Sequence, residues 1–173
     1  MFPPDLITAV ENKISYSGRL NLPKEVYPSW NDLVPYFDRS FLNGNIRARD
    51  PHKIFTDVGN DRDFSFVRHV QVSLGKLLNR AGISCHCYAG FSPNAHASPP
   101  HQDPMEVLFV MIQGTMPWKV WENGCDYDNN TKNMTTRSTF SRRLKQGDFV
   151  YVPAGVYHVA LPDCSRVGFS FGW

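Results

Sequence analysis

The hydrophobic pattern of this 173-residue chain changes its period near residue 82. Between residues 64 and 80 the apolar positions recur every three or four residues, which is the stripe of an amphipathic helix. These positions are Val67, Val70, Leu74, Leu77 and Leu78. Gly82 follows at a place where glycine commonly caps a helix. After it, short apolar runs alternate with turn residues, as in a series of strands.

The segments predicted to be strands number at least seven in the last 90 or so residues, which is a density typical of all-β folds. They cover residues 83–91, 106–113, 116–122, 135–143, 149–152, 156–161 and 166–173. Residues 123–131 are polar and are predicted to be an exposed loop. We therefore predict a mainly β fold, a double-stranded β-helix (jelly-roll barrel) over residues 83–173, with the N-terminal helices packed outside it.

Residues 1–82 are predicted to be helix and loop, within one domain that covers residues 1–173. A short helix is expected over residues 4–13. A second should run from Ser29 to about Gly44, because Ser29-Trp-Asn-Asp32 resembles a capping box. Residues 14–28 and 43–63 are predicted to be irregular, since prolines, glycines and polar residues interrupt them.

Two polar motifs lie among the predicted strands. His101 and Asp103 stand two residues apart, so on an extended chain their side chains share one face. The second motif, residues 147–158, is predicted to form a turn, a strand, a second turn and then His158 on the next strand. Two histidines and a carboxylate are the facial triad of non-haem Fe(II) oxygenases. The alternative is a metal-free barrel with two polar histidines near its mouth.

Composition narrows the function classes. A formal net charge of +2 gives no case for nucleic-acid or membrane-surface binding. No apolar run reaches the length of a membrane span, and the N-terminus lacks a signal-peptide pattern, so a cytoplasmic protein is expected. Its four cysteines are then expected to be reduced thiols. Cys85-His86-Cys87 lacks a fourth ligand with metal-like spacing, which favours buried strand thiols over zinc. The oligomeric state cannot be predicted from these features.

The spacing of Gly147, Pro153, Gly155 and His158 matches the second motif of the cupin family. Other segments make the likeness more specific: the chain resembles the JmjC-type branch of that superfamily over roughly residues 83–173. These segments are His101-Gln-Asp-Pro104, residues 107–114, Trp118-Lys-Val-Trp121 and Gly168-Phe-Ser-Phe-Gly-Trp173.

The resemblance implies an Fe(II)- and 2-oxoglutarate-dependent oxygenase, usually one that hydroxylates a side chain of a protein or peptide. It implies that His101, Asp103 and His158 are the iron ligands and the catalytic residues. It also implies that the hydroxyl of Ser98 bonds the cosubstrate.

Two positions depart from the family pattern. Met116 stands where the family carries the Lys or Arg that holds the distal carboxylate of 2-oxoglutarate, and Val107 occupies another position that is often polar. Arg166 is the predicted replacement, because it shares one face of the last strand with Ser170, whose hydroxyl would assist. The alternative for Arg166 is a solvated surface arginine.

Two other functions stay open: a metal-dependent cupin enzyme that does not use 2-oxoglutarate, and a non-catalytic binding barrel.

Overall fold

The computed structural model describes residues 1–44, 46–50, 53–57, 64–92, 95, 97–122, 126–128, 130–131 and 133–173, with the backbone alone for 46–50 and 53–57. The α-helices in these ranges are α1 (Asp5–Asn12), α2 (Trp30–Leu42) and α3 (Ser65–Leu78). The first strands are β1 (Tyr16–Arg19), β2 (Ile46–Asp50), β3 (Lys53–Asp57), β4 (Ser84–Gly90), β5 (Val107–Gln113) and β6 (Thr115–Trp121). They are followed by β7 (Tyr127–Asp128), β8 (Asn133–Met134), β9 (Phe140–Lys145), β10 (Asp148–Val152), β11 (Tyr157–Ala160) and β12 (Arg166–Gly172).

The strands form two facing sheets. The larger has the order β1-β10-β5-β12-β4-β3-β2 and the smaller the order β11-β6-β9, while β7 and β8 form a separate hairpin. From β5 to β12 the chain crosses repeatedly between the two sheets, and the paired strands run antiparallel. This is a jelly-roll arrangement. The predicted double-stranded β-helix is therefore confirmed.

Two apolar clusters fill the fold, one on each face of the large sheet. The outer cluster joins helix residues such as Leu33, Val70 and Leu74 to strand residues such as Leu108 and Phe169. The inner cluster lies between the sheets. Its buried members are Phe109, Met111, Met116, Trp118, Val120, Leu144, Val150 and Val152. Strand β5 contributes to both clusters, which explains why its sequence is continuously apolar rather than alternating. The helices pack outside the barrel, as predicted.

The predicted helices are confirmed, with one change of detail. The capping box of α2 is present: the Ser29 backbone N–H donates to Asp32 Oδ2 at 2.8 Å, and the Ser29 side chain faces the backbone of Asp32. The C-terminal cap of α3 is Asn79, in the left-handed region at φ 49°, rather than Gly82. Asparagine tolerates this conformation better than most residues, so it ends the helix first.

Two segments that were predicted to be irregular contain strands. Strand β1 pairs with β10 at one edge of the large sheet, and the β2–β3 hairpin extends the other edge beside β4. Their short polar sequences carry no strong alternation, because edge positions need little apolar surface and the barrel edge supplies their partners. The remainder of the 43–63 prediction, residues 45, 51–52 and 58–63, lies outside the described residues.

The region between β6 and β10 also differs from the prediction. The strand expected over residues 135–143 is β9, which begins later, at Phe140, and ends at Lys145. The predicted loop at 123–131 includes the short strand β7. Among the described residues, no helix has the length and apolarity needed to cross a bilayer.

Candidate metal centre and its cavity

His101 and His158 are brought side by side by a bridge between their backbones. The His101 N–H donates to the His158 carbonyl at 3.1 Å, and the His158 N–H donates to the His101 carbonyl at 2.9 Å. The bridge adds the segment around His101 to the edge of the small sheet, next to β11. Since paired residues project side chains to the same face, the two imidazoles lie together, with ring centroids 4.4 Å apart.

Asp103 completes a cluster of three potential metal ligands. Its Oδ2 lies 3.4 Å from Nε2 of His158, and its Oδ1 lies 3.8 Å from Nε2 of His101. One ligand atom from each residue lies within 4.8 Å of the others. Three neighbouring ligands of a first-row ion lie about 3 Å from one another, given bonds of about 2.1 Å, so small side-chain rotations would let all three touch one ion.

The other ring nitrogen of each histidine contacts a backbone carbonyl. His101 Nδ1 lies 2.8 Å from the oxygen of Pro99, and His158 Nδ1 lies 3.0 Å from that of Val156. A carbonyl accepts only, so each Nδ1 carries a proton, and in the neutral imidazole the lone pair is on Nε2. Both lone pairs then belong to the nitrogens beside Asp103. Such outer hydrogen bonds are the usual way in which metal-binding histidines are oriented.

The three residues of the cluster differ in their exposure to solvent. His158 is only 3% exposed, whereas the side chains of His101 and Asp103 are 40% and 34% exposed. The pKa of Asp103 lies below its usual range, chiefly because the protonated form of His158 can donate a hydrogen bond from Nε2 to this carboxylate. Further lowering comes from the charges of His158, His101 and His86, while burial acts in the opposite direction. A carboxylate held ionised between two imidazoles suits a divalent cation.

A second set of bonds ties the two motifs together. The Gln102 side-chain amide donates to the carbonyl of Gly155 at 2.6 Å, and the Gly155 N–H donates to the carbonyl of Asp103 at 2.9 Å. Gly155 has φ of +76°, a conformation that favours glycine. We call this pair of bonds the Gln102–Gly155 clasp. It fixes the His101–Asp103 turn against the turn that precedes His158.

The cluster opens into a cavity between the two sheets, of about 90 Å³. Its wall includes all six residues predicted to bind metal or cosubstrate. They are Ser98, His101, Asp103, His158, Arg166 and Ser170. Met116 and Val107, the two positions that depart from the family pattern, also line it. Lys119, on the same strand as Met116, is exposed instead. The predicted alternation of β12 is therefore observed, with Arg166 and Ser170 on the cavity side.

Arg166 is buried rather than solvated, with 5% of its surface exposed. Its Nη2 donates to the Ala95 carbonyl at 2.6 Å and its Nη1 to the Cys164 carbonyl at 3.4 Å. Burial lowers the pKa of this arginine, although the guanidinium stays charged at neutral pH. Among the described residues, both of its hydrogen-bond partners are neutral carbonyls, while the carboxylate of Asp163 acts on the guanidinium electrostatically without a hydrogen bond. A buried cation in this state favours an anionic ligand in the cavity.

Some cavity residues were not anticipated from the sequence. Tyr88 and Ala97 line the wall, and His86 acts electrostatically on Asp103. The alternation of β4 was an available signal, because His86 and Tyr88 share a face there. For His96, the sequence favours a loop histidine over a substrate contact, and this residue lies outside the described residues.

A family model supports the assignment that the geometry suggests. The model of the JmjC domain matches residues 65–173, which is well over half of the chain. The chain belongs to the JmjC domain family. The match includes α3 and strands β4 to β12, and the resemblance noted from the sequence is thereby confirmed.

Two curated JmjC relatives and one solved structure are similar to the chain. Ribosomal oxygenase 2 of Bos taurus is 30% identical over 70 residues, covering 38% of this chain and 15% of that protein. Bifunctional lysine-specific demethylase and histidyl-hydroxylase NO66 of Drosophila yakuba is 26% identical over 93 residues, covering 45% of this chain and 13% of that protein.

The structure of YcfD, a ribosomal oxygenase from Escherichia coli in complex with cobalt and succinic acid, has a TM-score of 0.63 at 13% identity. The superposed region covers 98% of this chain and 50% of the YcfD chain. At that identity the likeness shows a shared fold. The chain thus spans about half of this structure and a smaller part of the two curated relatives.

Proposed function

We propose that this chain is an Fe(II)- and 2-oxoglutarate-dependent oxygenase that hydroxylates a side chain of a protein or peptide. The observation that carries the proposal is the cluster of His101, Asp103 and His158, with Nε2 of both histidines beside Asp103, at the mouth of a JmjC barrel. The names of the relatives support the class, since they are a ribosomal oxygenase and a histidyl-hydroxylase. The cobalt and succinic acid of the YcfD complex support the cofactor pair.

In this proposal His101, Asp103 and His158 hold the iron. The metal and 2-oxoglutarate together supply the oxidation: one atom of O₂ enters a substrate C–H bond as hydroxyl, the other enters succinate, and CO₂ leaves the 2-oxoglutarate. The protein residues do the rest. Three ligands on one face leave other coordination positions free, and the exposed side of His101 and Asp103 leaves a path for a bulky substrate.

Arg166 is the proposed partner of the distal carboxylate of 2-oxoglutarate. It lines the cavity that contains the cluster, and among the described residues its hydrogen-bond partners are carbonyls. The hydroxyls of Ser98 and Ser170, on the same wall, are the proposed neutral donors. A charged fork with nearby hydroxyls suits a buried carboxylate.

A metal-dependent enzyme that does not use 2-oxoglutarate is the second candidate. Met116 and Val107 favour it, because both line the cavity and neither can bond a carboxylate. The buried charge of Arg166 favours the first candidate.

We also propose a reducing, cytoplasmic environment, in keeping with the free thiols of Cys85, Cys87 and Cys164.

The test has two parts. First, the protein is incubated with Fe(II), 2-oxoglutarate and O₂, and succinate is measured without and with candidate peptides. Second, anaerobic iron binding is compared for wild type, Asp103→Ala and the matched control Asp32→Ala, whose carboxylate accepts a hydrogen bond from the Ser29 backbone on the surface. We expect succinate from wild type and from the control, and neither succinate nor stoichiometric iron from Asp103→Ala. Equal iron binding by wild type and Asp103→Ala would show that the ligand assignment is wrong.

A further inference from the structure

Gly90, at the cavity end of β4, lies directly opposite Arg166. The two residues are paired in the antiparallel register of β4 and β12. The guanidinium lies over the glycine so closely that a Cβ at position 90 would be 2.5 Å from Nη1 and 2.8 Å from Cζ. We propose that Gly90 is a positioning residue that sets the orientation of Arg166, and that together they form the anion site of this cavity. This inference rests on the proposed function and adds a residue to it.

The guanidinium is held from several sides. The carbonyl of Ala95 accepts from Nη2, and that of Cys164 accepts from Nη1 at a longer distance. Ala95 belongs to the segment that leads to His101, and Cys164 lies just before β12. The backbone at Gly90 lies against the guanidinium as well. Among the described residues these bonds use two of the five N–H groups of the side chain, so the others are available to a carboxylate.

Orientation matters because a guanidinium binds a carboxylate best through two parallel N–H···O bonds. That geometry is planar and directional, unlike the bond to a lysine ammonium. A guanidinium that is tilted or displaced would keep its charge and lose the paired bonds. The residue that fixes its plane therefore determines the affinity for a carboxylate as much as the arginine itself does.

Glycine is needed here for space and not for its backbone conformation. Gly90 is absent from the described glycines that have positive φ, so alanine can adopt its backbone. The three heavy atoms closest to a Cβ at this position are Nη1, Cζ and Nη2 of Arg166. A methyl group would consequently meet the guanidinium before any other group. Because that guanidinium is buried against two carbonyls, it has to tilt to make room.

The experiment measures 2-oxoglutarate binding by calorimetry, without O₂, on Mn(II)-loaded wild type and Gly90→Ala. We expect binding to weaken about tenfold or more in the variant, as when a charged hydrogen bond is broken. Mn(II) affinity and the thermal unfolding curve should stay close to wild type. The matched control is Gly172→Ala. Gly172 lies on β12 at an even spacing from Arg166, and a Cβ there would approach Sδ of the exposed Met105 instead of the guanidinium. Its 2-oxoglutarate affinity should equal that of wild type.

A second background tests whether Gly90 acts through the guanidinium. Arg166→Lys should bind 2-oxoglutarate more weakly than wild type but measurably. Adding Gly90→Ala to it should change affinity by less than about twofold, because no guanidinium meets the new methyl group. Wild-type affinity in Gly90→Ala, or an equal loss in both backgrounds, would overturn the inference while leaving the oxygenase proposal intact. If Mn(II)-loaded wild type binds no 2-oxoglutarate, the proposed function itself is wrong.

Discussion

At the scale of single residues, Arg166 supplies a buried positive charge in the cavity. Met116 stands where the family resemblance implies a basic residue, so the predicted charge comes from the last strand instead. Both side chains line the same cavity. A bound carboxylate requires a positive charge at one place in the cavity, and that charge can come from either strand.

Arg166→Met should abolish measurable 2-oxoglutarate binding while the iron site is retained. Removing one partner of a buried ion pair costs about 3–5 kcal/mol, which is more than about a hundredfold in affinity. Calorimetry with the metal-loaded protein would measure the loss, and iron stoichiometry would verify the metal site.

Adding Met116→Lys to Arg166→Met should restore part of the affinity, since the new ammonium enters the same cavity. The matched single variant Met116→Leu keeps an apolar side chain and should bind as wild type does. A protein with Arg166→Met that binds 2-oxoglutarate normally would favour the metal-dependent enzyme that does not use this cosubstrate.

At the scale of elements, the important unit is the pair of turns that carries the candidate ligands. The bridge between His101 and His158 joins the two turns through the backbone, and the Gln102–Gly155 clasp joins them again on the exposed side. The ligands are thus set by two short segments that brace each other. Neither segment belongs to the central part of a sheet, so their mutual bonds matter more than strand pairing does.

Gln102→Ala should weaken Co(II) binding about three- to tenfold, because one hydrogen bond to the turn is lost and no ligand is removed. The visible spectrum of the Co(II) protein should also change, since the position of Asp103 loosens. Gln146→Ala is the matched control: its side-chain amide likewise donates to a backbone carbonyl, that of Ile112, at 3.0 Å. It should leave both affinity and spectrum unchanged. An unaltered Co(II) spectrum in Gln102→Ala would argue against the clasp.

At the scale of the whole molecule, the end of α1 and the barrel are linked by a buried polar group. Glu106 is 6% exposed, accepts a hydrogen bond from the Tyr151 hydroxyl at 2.9 Å and forms an ion pair with Lys13, the residue that caps α1. Burial raises the pKa of Tyr151 from 10.0 to about 12. The folded state therefore holds this proton more tightly than the unfolded state does.

The sign of the resulting pH effect follows directly. A pKa raised on folding contributes stability that is fully present below pH 10 and is lost as the pH rises toward about 12. From this group alone, the free energy of unfolding should fall by about 2–3 kcal/mol across that window. Urea denaturation at a series of pH values would measure it. Tyr151→Phe should be less stable at neutral pH and should show a shallower alkaline decline. A decline of equal steepness in both proteins would refute the assignment to Tyr151.

Much of the fold was determined by local sequence alone. The helical stripe of α3, the capping box of α2 and the strands after residue 82 follow from periodicity and turn chemistry, which act over a few residues. The shared face of His101 and Asp103 and the hairpin that ends in His158 could be predicted from the sequence for the same reason. The alternation of β12 likewise predicted that Arg166 and Ser170 share the cavity face.

Only the tertiary structure decided the remainder, because those features depend on partners distant in the chain. Strands β1, β2 and β3 are short, and the edges of the large sheet supply the bonds that make them strands. The Gln102–Gly155 clasp joins positions 53 residues apart, and Gly90 and Arg166 meet only through the register of two strands. A one-residue shift in that register would turn the arginine away from the cavity. Local patterns thus identified the chemical groups, and long-range pairing set which of them meet.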